Sequence, residues 1–148
     1  MSSESPSARA ILAEHEELRR DLDQVRELVA ALPAAGAHEG WFAALSRHLG
    51  ILGPKLDQHF RSEERAGFFD EIEAAWPNAV PRCEQLRGEH AELVGRVANV
   101  AAAARSAAAD PHLVAQQVRA LVEALRGHES RETELFQQAI EGGPSGQD

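Results

Sequence analysis

The chain has 148 residues, a formal net charge of -9 and a single cysteine, Cys83. That length is enough for one domain with one apolar core. The acidic balance argues against nucleic acid or an anionic membrane surface as a partner, and one cysteine permits neither an internal disulfide nor a thiolate metal cluster. Ala, Leu, Val, Glu and Arg dominate, Tyr is absent and alternating β-type runs are missing, so the expected class is all-α.

In chain order, residues 1–6 and 141–148 read as short disordered tails flanking a folded region at 7–140. The first ten residues lack a basic stretch followed by an apolar one, so no secretory signal is expected. No apolar run approaches the roughly 20 residues that span a bilayer, and the expected location is the cytoplasm. A first helix is predicted from Ser7 to Leu32, stopped by Pro33 and Gly36. A second runs from Trp41 to Arg65, with Gly53-Pro54 as a kink. The segment from Ala66 to Val80 carries Phe68, Phe69 and Trp76, with a short helix predicted at Asp70 to Ala75. A third long helix is expected from Pro81 to Ala109. The fourth opens with Asp110 as N-cap and Pro111 at the first helical position, and ends near Ile140. Short links after the first and third long helices make each pair an antiparallel hairpin, which gives an up-down-up-down four-helix bundle.

Each long helix carries one stripe at three- and four-residue steps. The stripes are Ile11, His15, Leu18, Leu22, Val25, Val29; Leu45, Leu49, Leu52, Leu56, His59, Glu63; Leu86, His90, Leu93, Val97, Val100, Ala104; and Val114, Val118, Leu121, Leu125, His128, Glu132, Leu135. All are apolar except for His or Glu near one end. His59 and Glu63 are four residues apart, as are His128 and Glu132, so imidazole and carboxylate sit one turn apart on one face. From His15 to Leu32 is 17 residues and from Trp41 to His59 is 18; from His90 to Ala109 is 19 and from Pro111 to His128 is 17. At about 1.5 Å rise per residue the six side chains reach matching heights.

The halves repeat. Ala13-Glu14-His15-Glu16-Glu17-Leu18 aligns with Gly88-Glu89-His90-Ala91-Glu92-Leu93, and His59-Phe60-Arg61-Ser62-Glu63-Glu64 with His128-Glu129-Ser130-Arg131-Glu132-Thr133. The pattern suggests a pseudo-twofold site for two metal ions. His15 and His59 would serve one, His90 and His128 the other, with Glu63 and Glu132 bridging. A lone buried histidine is more often a hydrogen-bonded core residue, and a lone His-x-x-x-Glu is a common surface pair. Two buried carboxylates at one level, however, repel unless a cation lies between them.

This pattern resembles the hemerythrin-like, His-His-Glu cation-binding family over about residues 10–140, with His15, His59-x-x-x-Glu63, His90 and His128-x-x-x-Glu132 matching its ligand series. The resemblance implies a carboxylate-bridged, non-haem di-iron site with an oxo or hydroxo bridge. It also implies binding of dioxygen, or related chemistry with peroxide or nitric oxide, and in some members sensing of oxygen or iron. Imidazole and carboxylate suit manganese and zinc as well. Two departures matter: Val94 stands where the oxygen carriers have a further His, and Thr133 where they have Asp, with Glu132 taking that role. The result is a more symmetrical site with an open metal position, which turns the expectation from reversible oxygen carriage toward peroxide-consuming or sensory roles.

Three readings follow: a di-iron protein that binds or reacts with dioxygen, peroxide or nitric oxide, with catalase-like or peroxide-reducing activity as one form; an oxygen- or iron-sensing regulatory module without turnover; and a metal-free interaction domain. His48, 11 residues before His59, lies about 16 Å from the ligands along the helix and is expected in the bundle interior. His38 and His112 read as solvated, and Cys83 as a partly buried helix residue. Glu64 or Glu129 is expected to bond a ligand imidazole, with Glu16 and Glu92 at the surface. Phe60, Phe68, Phe69 and Trp76 are expected either to cap the metal end or only to anchor the loop.

Overall fold

The computed structural model describes residues 6–106 and 108–142. Among the described residues there are five α-helices: α1 (Pro6–Ala30), α2 (Glu39–Arg65), α3 (Phe68–Ala75), α4 (Val80–Arg105) and α5 (Pro111–Ile140), with a 3₁₀ turn at Pro77–Ala79 before α4. There is no strand among the described residues. The four long helices form a ring in which α1 packs on α2 and α5, and α4 on α2 and α5. This is the expected all-α bundle.

The helix ends follow local chemistry. α1 stops at Ala30, two residues before the predicted end, because a residue preceding proline is pushed out of the helical region and Pro33 follows Leu32. α4 ends at Arg105 rather than Ala109. Ser106 adopts an extended conformation (φ -72°, ψ 133°) and its hydroxyl accepts from the Ala108 N–H at 3.3 Å. The alanines there favour helix on propensity, but the serine offers its neighbours another acceptor. α5 starts as expected, with the Asp110 carboxylate accepting from the His112 N–H at 3.0 Å.

α2 passes through Pro54 as one continuous helix. α3 begins at Phe68, two residues earlier than predicted, entered through Gly67 at φ +76°, a left-handed conformation that glycine adopts without a Cβ penalty. Of the predicted tails, Pro6 already belongs to α1 and Glu141–Gly142 form a turn after α5; the rest lies outside the described residues.

The core comes in two pieces. The larger cluster runs along the ring from Leu18 to Val29, Trp41 to Phe60, Leu93 to Ala104 and Val114 to Leu125. The second, at the far end, joins Ile11, Phe68, Phe69, Ile72, Trp76, Cys83, Leu86, Leu135 and Phe136. On α1, α4 and α5 the polar members of the stripe fall between these two clusters in sequence, and on α2 His59 and Glu63 flank Phe60, the last member of the larger cluster on that helix. The expected site is therefore an internal polar layer, roofed by α3, and the aromatic segment belongs to an apolar cap rather than a surface loop. His48 is half-buried rather than interior.

Candidate metal centre

His15 comes from α1, His59 and Glu63 from α2, His90 from α4, and His128 and Glu132 from α5. None of the six is more than 6% exposed, and both glutamates are at 0%. Their donor atoms form two overlapping sets, His15, His59, Glu63 and Glu132, and Glu63, His90, His128 and Glu132, each lying within 4.8 Å. The structure thus brings all six predicted residues together.

The contacts divide the oxygens between the sets. In the first, His15 Nε2 is 3.3 Å from Glu63 Oε2 and 3.2 Å from Glu132 Oε1, and His59 Nε2 is 3.6 Å from Glu63 Oε2. In the second, His90 Nε2 is 3.4 Å from Glu63 Oε1 and 3.5 Å from Glu132 Oε2, and His128 Nε2 is 3.1 Å from Glu132 Oε2. Each glutamate turns one oxygen to each set. Donor atoms bonded to one ion at about 2.0–2.2 Å lie no more than about 4.4 Å apart, so these spacings are compatible with ligands of a shared ion. Several of the same atoms (His59, His90 and His128 Nε2, Glu63 Oε1, both Glu132 oxygens) are buried without a hydrogen-bond partner. A layer of polar atoms left unpaired in an apolar core requires something to pair with.

The outer nitrogens are held from behind. His59 Nδ1 lies 2.7 Å from Glu14 Oε1 and His128 Nδ1 2.9 Å from Glu89 Oε1, while the Thr133 hydroxyl is 3.3 Å from His15 Nδ1. Arg131 grips Glu89 through both terminal nitrogens at 2.7 and 2.8 Å. A carboxylate behind an imidazole fixes its tautomer, directs its lone pair inward and raises its basicity. Glu14 and Glu89 are aligned in the internal repeat, one residue before each lone histidine, and that was the signal for their role. Glu64 stays 4.0 Å from His90 Nδ1, beyond hydrogen-bond range, and Glu129 donates to and accepts from no imidazole in the described contacts. Neither fills the role expected of it.

Aromatic rings close the layer. Phe60 stacks on His90 at a centroid distance of 3.9 Å and 4° between planes. Phe69 lies 5.9 Å from His90 and Phe68 6.2 Å from His15. His15–His59 and His90–His128 repeat one edge-on arrangement, at 4.8 and 5.1 Å with 66° between planes in both.

The electrostatics of the protein alone show what the layer lacks. Burial disfavours charge on His15, yet the adjacent Glu132 and Glu63 carboxylates hold it up to about 10. Burial, then the charge of His15, pushes His59 down to about 3. Burial and the neighbouring Glu132 push Glu63 up to about 9. Glu132 stays well below the usual carboxylate range because His128, His15 and His90 outweigh its burial. Without a cation the two carboxylates thus share protons and imidazolium charge.

His38 bonds the Pro33 carbonyl at 3.1 Å and His112 is exposed, both away from the layer. Cys83 is buried in the apolar cap, and burial pushes its thiol up to about 11, so it is an inert core residue. No helix among the described residues is long and apolar enough to cross a membrane.

An all-α bundle enclosing a dry layer of imidazoles and carboxylates is the architecture of helical metal-binding proteins. The hemerythrin HHE cation binding domain matches residues 7–140, and the chain belongs to that family. No curated protein and no solved structure matches the chain.

Proposed function

We infer that the chain is a non-haem di-iron protein that reacts with or binds dioxygen, peroxide or nitric oxide. His15, His59, Glu63 Oε2 and Glu132 Oε1 would hold one ion; His90, His128, Glu63 Oε1 and Glu132 Oε2 would hold the other. The observation that carries this reading is the division of oxygens: two buried carboxylates each present one oxygen to each histidine pair at 3.1–3.6 Å. Iron in such a site supplies electron exchange with oxygen-derived or nitrogen-oxide ligands. Four protein donors per ion are fewer than an octahedral ion accepts, so room remains for a small molecule.

The chain's own residues do the rest. Glu14 and Glu89 hold His59 and His128 with their Nε2 lone pairs inward. Thr133, in place of a further carboxylate ligand, orients His15. Val94 packs against the main core and offers no donor. Phe60, Phe68 and Phe69 keep bulk water from the layer, which restricts the site to small uncharged ligands.

The test is aerobic purification with metal analysis, an ultraviolet–visible spectrum and a peroxide-consumption assay. The expected result is about two irons per chain, diferric charge-transfer bands, and loss of both in Glu63→Ala or His59→Ala. Absence of metal after anaerobic iron loading would overturn the reading. A sensory role is favoured by one observation, that both bridging glutamates are wholly buried, so occupancy should alter stability strongly. Iron uptake with a large thermal gain and no peroxide turnover would select it.

A further inference from the structure

The pseudo-twofold repeat that relates the two histidine pairs breaks at one position. Phe60 follows His59, and Glu129 follows His128. Phe60, on α2, lies flat against His90 of α4. Glu129 holds the equivalent place on α5, which packs on α1, the helix of His15. One half of the layer is walled by an aromatic ring, and the repeat puts a carboxylate at the matching position of the other.

That carboxylate is a problem for a structural account. Glu129 is only 6% exposed and its Oε1 is buried with no hydrogen-bond partner. Arg19, on α1, is paired with Glu16 at 2.9 Å on the surface. A carboxylate oxygen buried without a partner is unfavourable, unlike those of the half-exposed Glu64. Glu129 lies outside the tight donor sets. Either a proton or a cation must offset its burial.

Resting on the two-metal reading above, we propose that Glu129 is a third carboxylate of the metal centre that serves the His15–His59 ion, so that the two metal positions are inequivalent. The His90–His128 position has Phe60 in its place and receives no third carboxylate. The first ion would therefore carry the more anionic environment and favour the more highly charged metal state.

The experiment is anaerobic ferrous iron titration of the chelator-stripped full chain against a competing chelator, with Mössbauer spectra of the loaded protein, for wild type, Glu129→Gln and Glu129→Phe. The expected wild-type result is two irons in two distinguishable environments. Glu129→Gln should weaken one of the two by roughly tenfold or more and change one Mössbauer component while sparing the other. Glu129→Phe, copying Phe60, should bring the two components together. The metal-free thermal midpoint of Glu129→Gln should equal or exceed that of wild type. Two irons bound by Glu129→Gln with unchanged affinities and spectra would overturn this inference alone. A lower metal-free midpoint with unchanged iron affinity would do the same, by showing a purely structural role. Failure of the wild type to take up iron would overturn the metal reading and this inference with it.

Discussion

Glu14 Oε1 stands 2.7 Å from His59 Nδ1, joining α1 to α2 across 45 residues of sequence. Glu89 makes the same link to His128 between α4 and α5 at 2.9 Å. Each lone histidine is thus preceded by a glutamate that secures the histidine of the neighbouring helix, so one dipeptide serves both ends of its hairpin.

Glu14→Gln should lower iron affinity by roughly 10–100-fold, the usual effect of removing a carboxylate behind a metal-bound imidazole. Glu14 is partly exposed at 37%, so the metal-free midpoint should change little. A chelator competition titration checks both. Glu89→Gln should do more, because it also frees Arg131.

Glu63→Leu with Glu132→Leu should stabilise the metal-free chain by about 1–4 kcal/mol while abolishing metal uptake. Replacing buried charges by apolar groups of similar size is often neutral or stabilising, whereas removing one partner leaves the other charge uncompensated. Chemical denaturation of the stripped proteins measures it. A destabilised double variant would mean that the carboxylates hold the bundle together by themselves.

The metal-free chain should lose stability as pH rises from about 6.5 to about 9. His15 has a folded value of about 10 against an ordinary 6.5, so its contribution is complete below 6.5 and is lost as pH rises through about 10. Glu63, raised to about 9 from 4.5, keeps its proton in the fold after the unfolded chain has released it. The folded state therefore binds more protons over that window, and stability falls with pH. Metal displaces these protons, so the thermal gain on metal binding should grow over the same window. Thermal melts at stepped pH, with and without iron, test both slopes.

Phe68→Ala should cost about 3–5 kcal/mol, because Phe68 is wholly buried between His15, Phe69 and Phe136. It also removes part of the roof over the layer. Loss of iron to an excess of chelator should be faster than in wild type, and the release rate in stopped-flow measures it.

Gly53→Ala should stabilise by about 0.5–1 kcal/mol. A Cβ built there meets Val97 Cγ1 at 3.5 Å, an ordinary contact, so α2 gains helix propensity without pushing α4 away. The urea midpoint reads the change.

The sequence by itself determined the all-α class, the four long helices and the six polar positions in their stripes. These rest on local quantities: a 3.6-residue period, a fixed rise per residue and the capping chemistry of Asp110-Pro111. The helix ends at Ala30 and Arg105 were less legible, since Leu32 and the alanines after Arg105 read as helix until the competing acceptor of Ser106 and the crowding before Pro33 are weighed. Only the tertiary structure decided that the polar layer lies between two apolar clusters. It also decided which oxygen of each glutamate faces which histidine pair, and that Glu14 and Glu89, rather than Glu64 or Glu129, stand behind imidazoles. These are matters of which rotamer and which neighbouring helix a side chain meets, and helical periodicity sets the face of a residue without naming its partner.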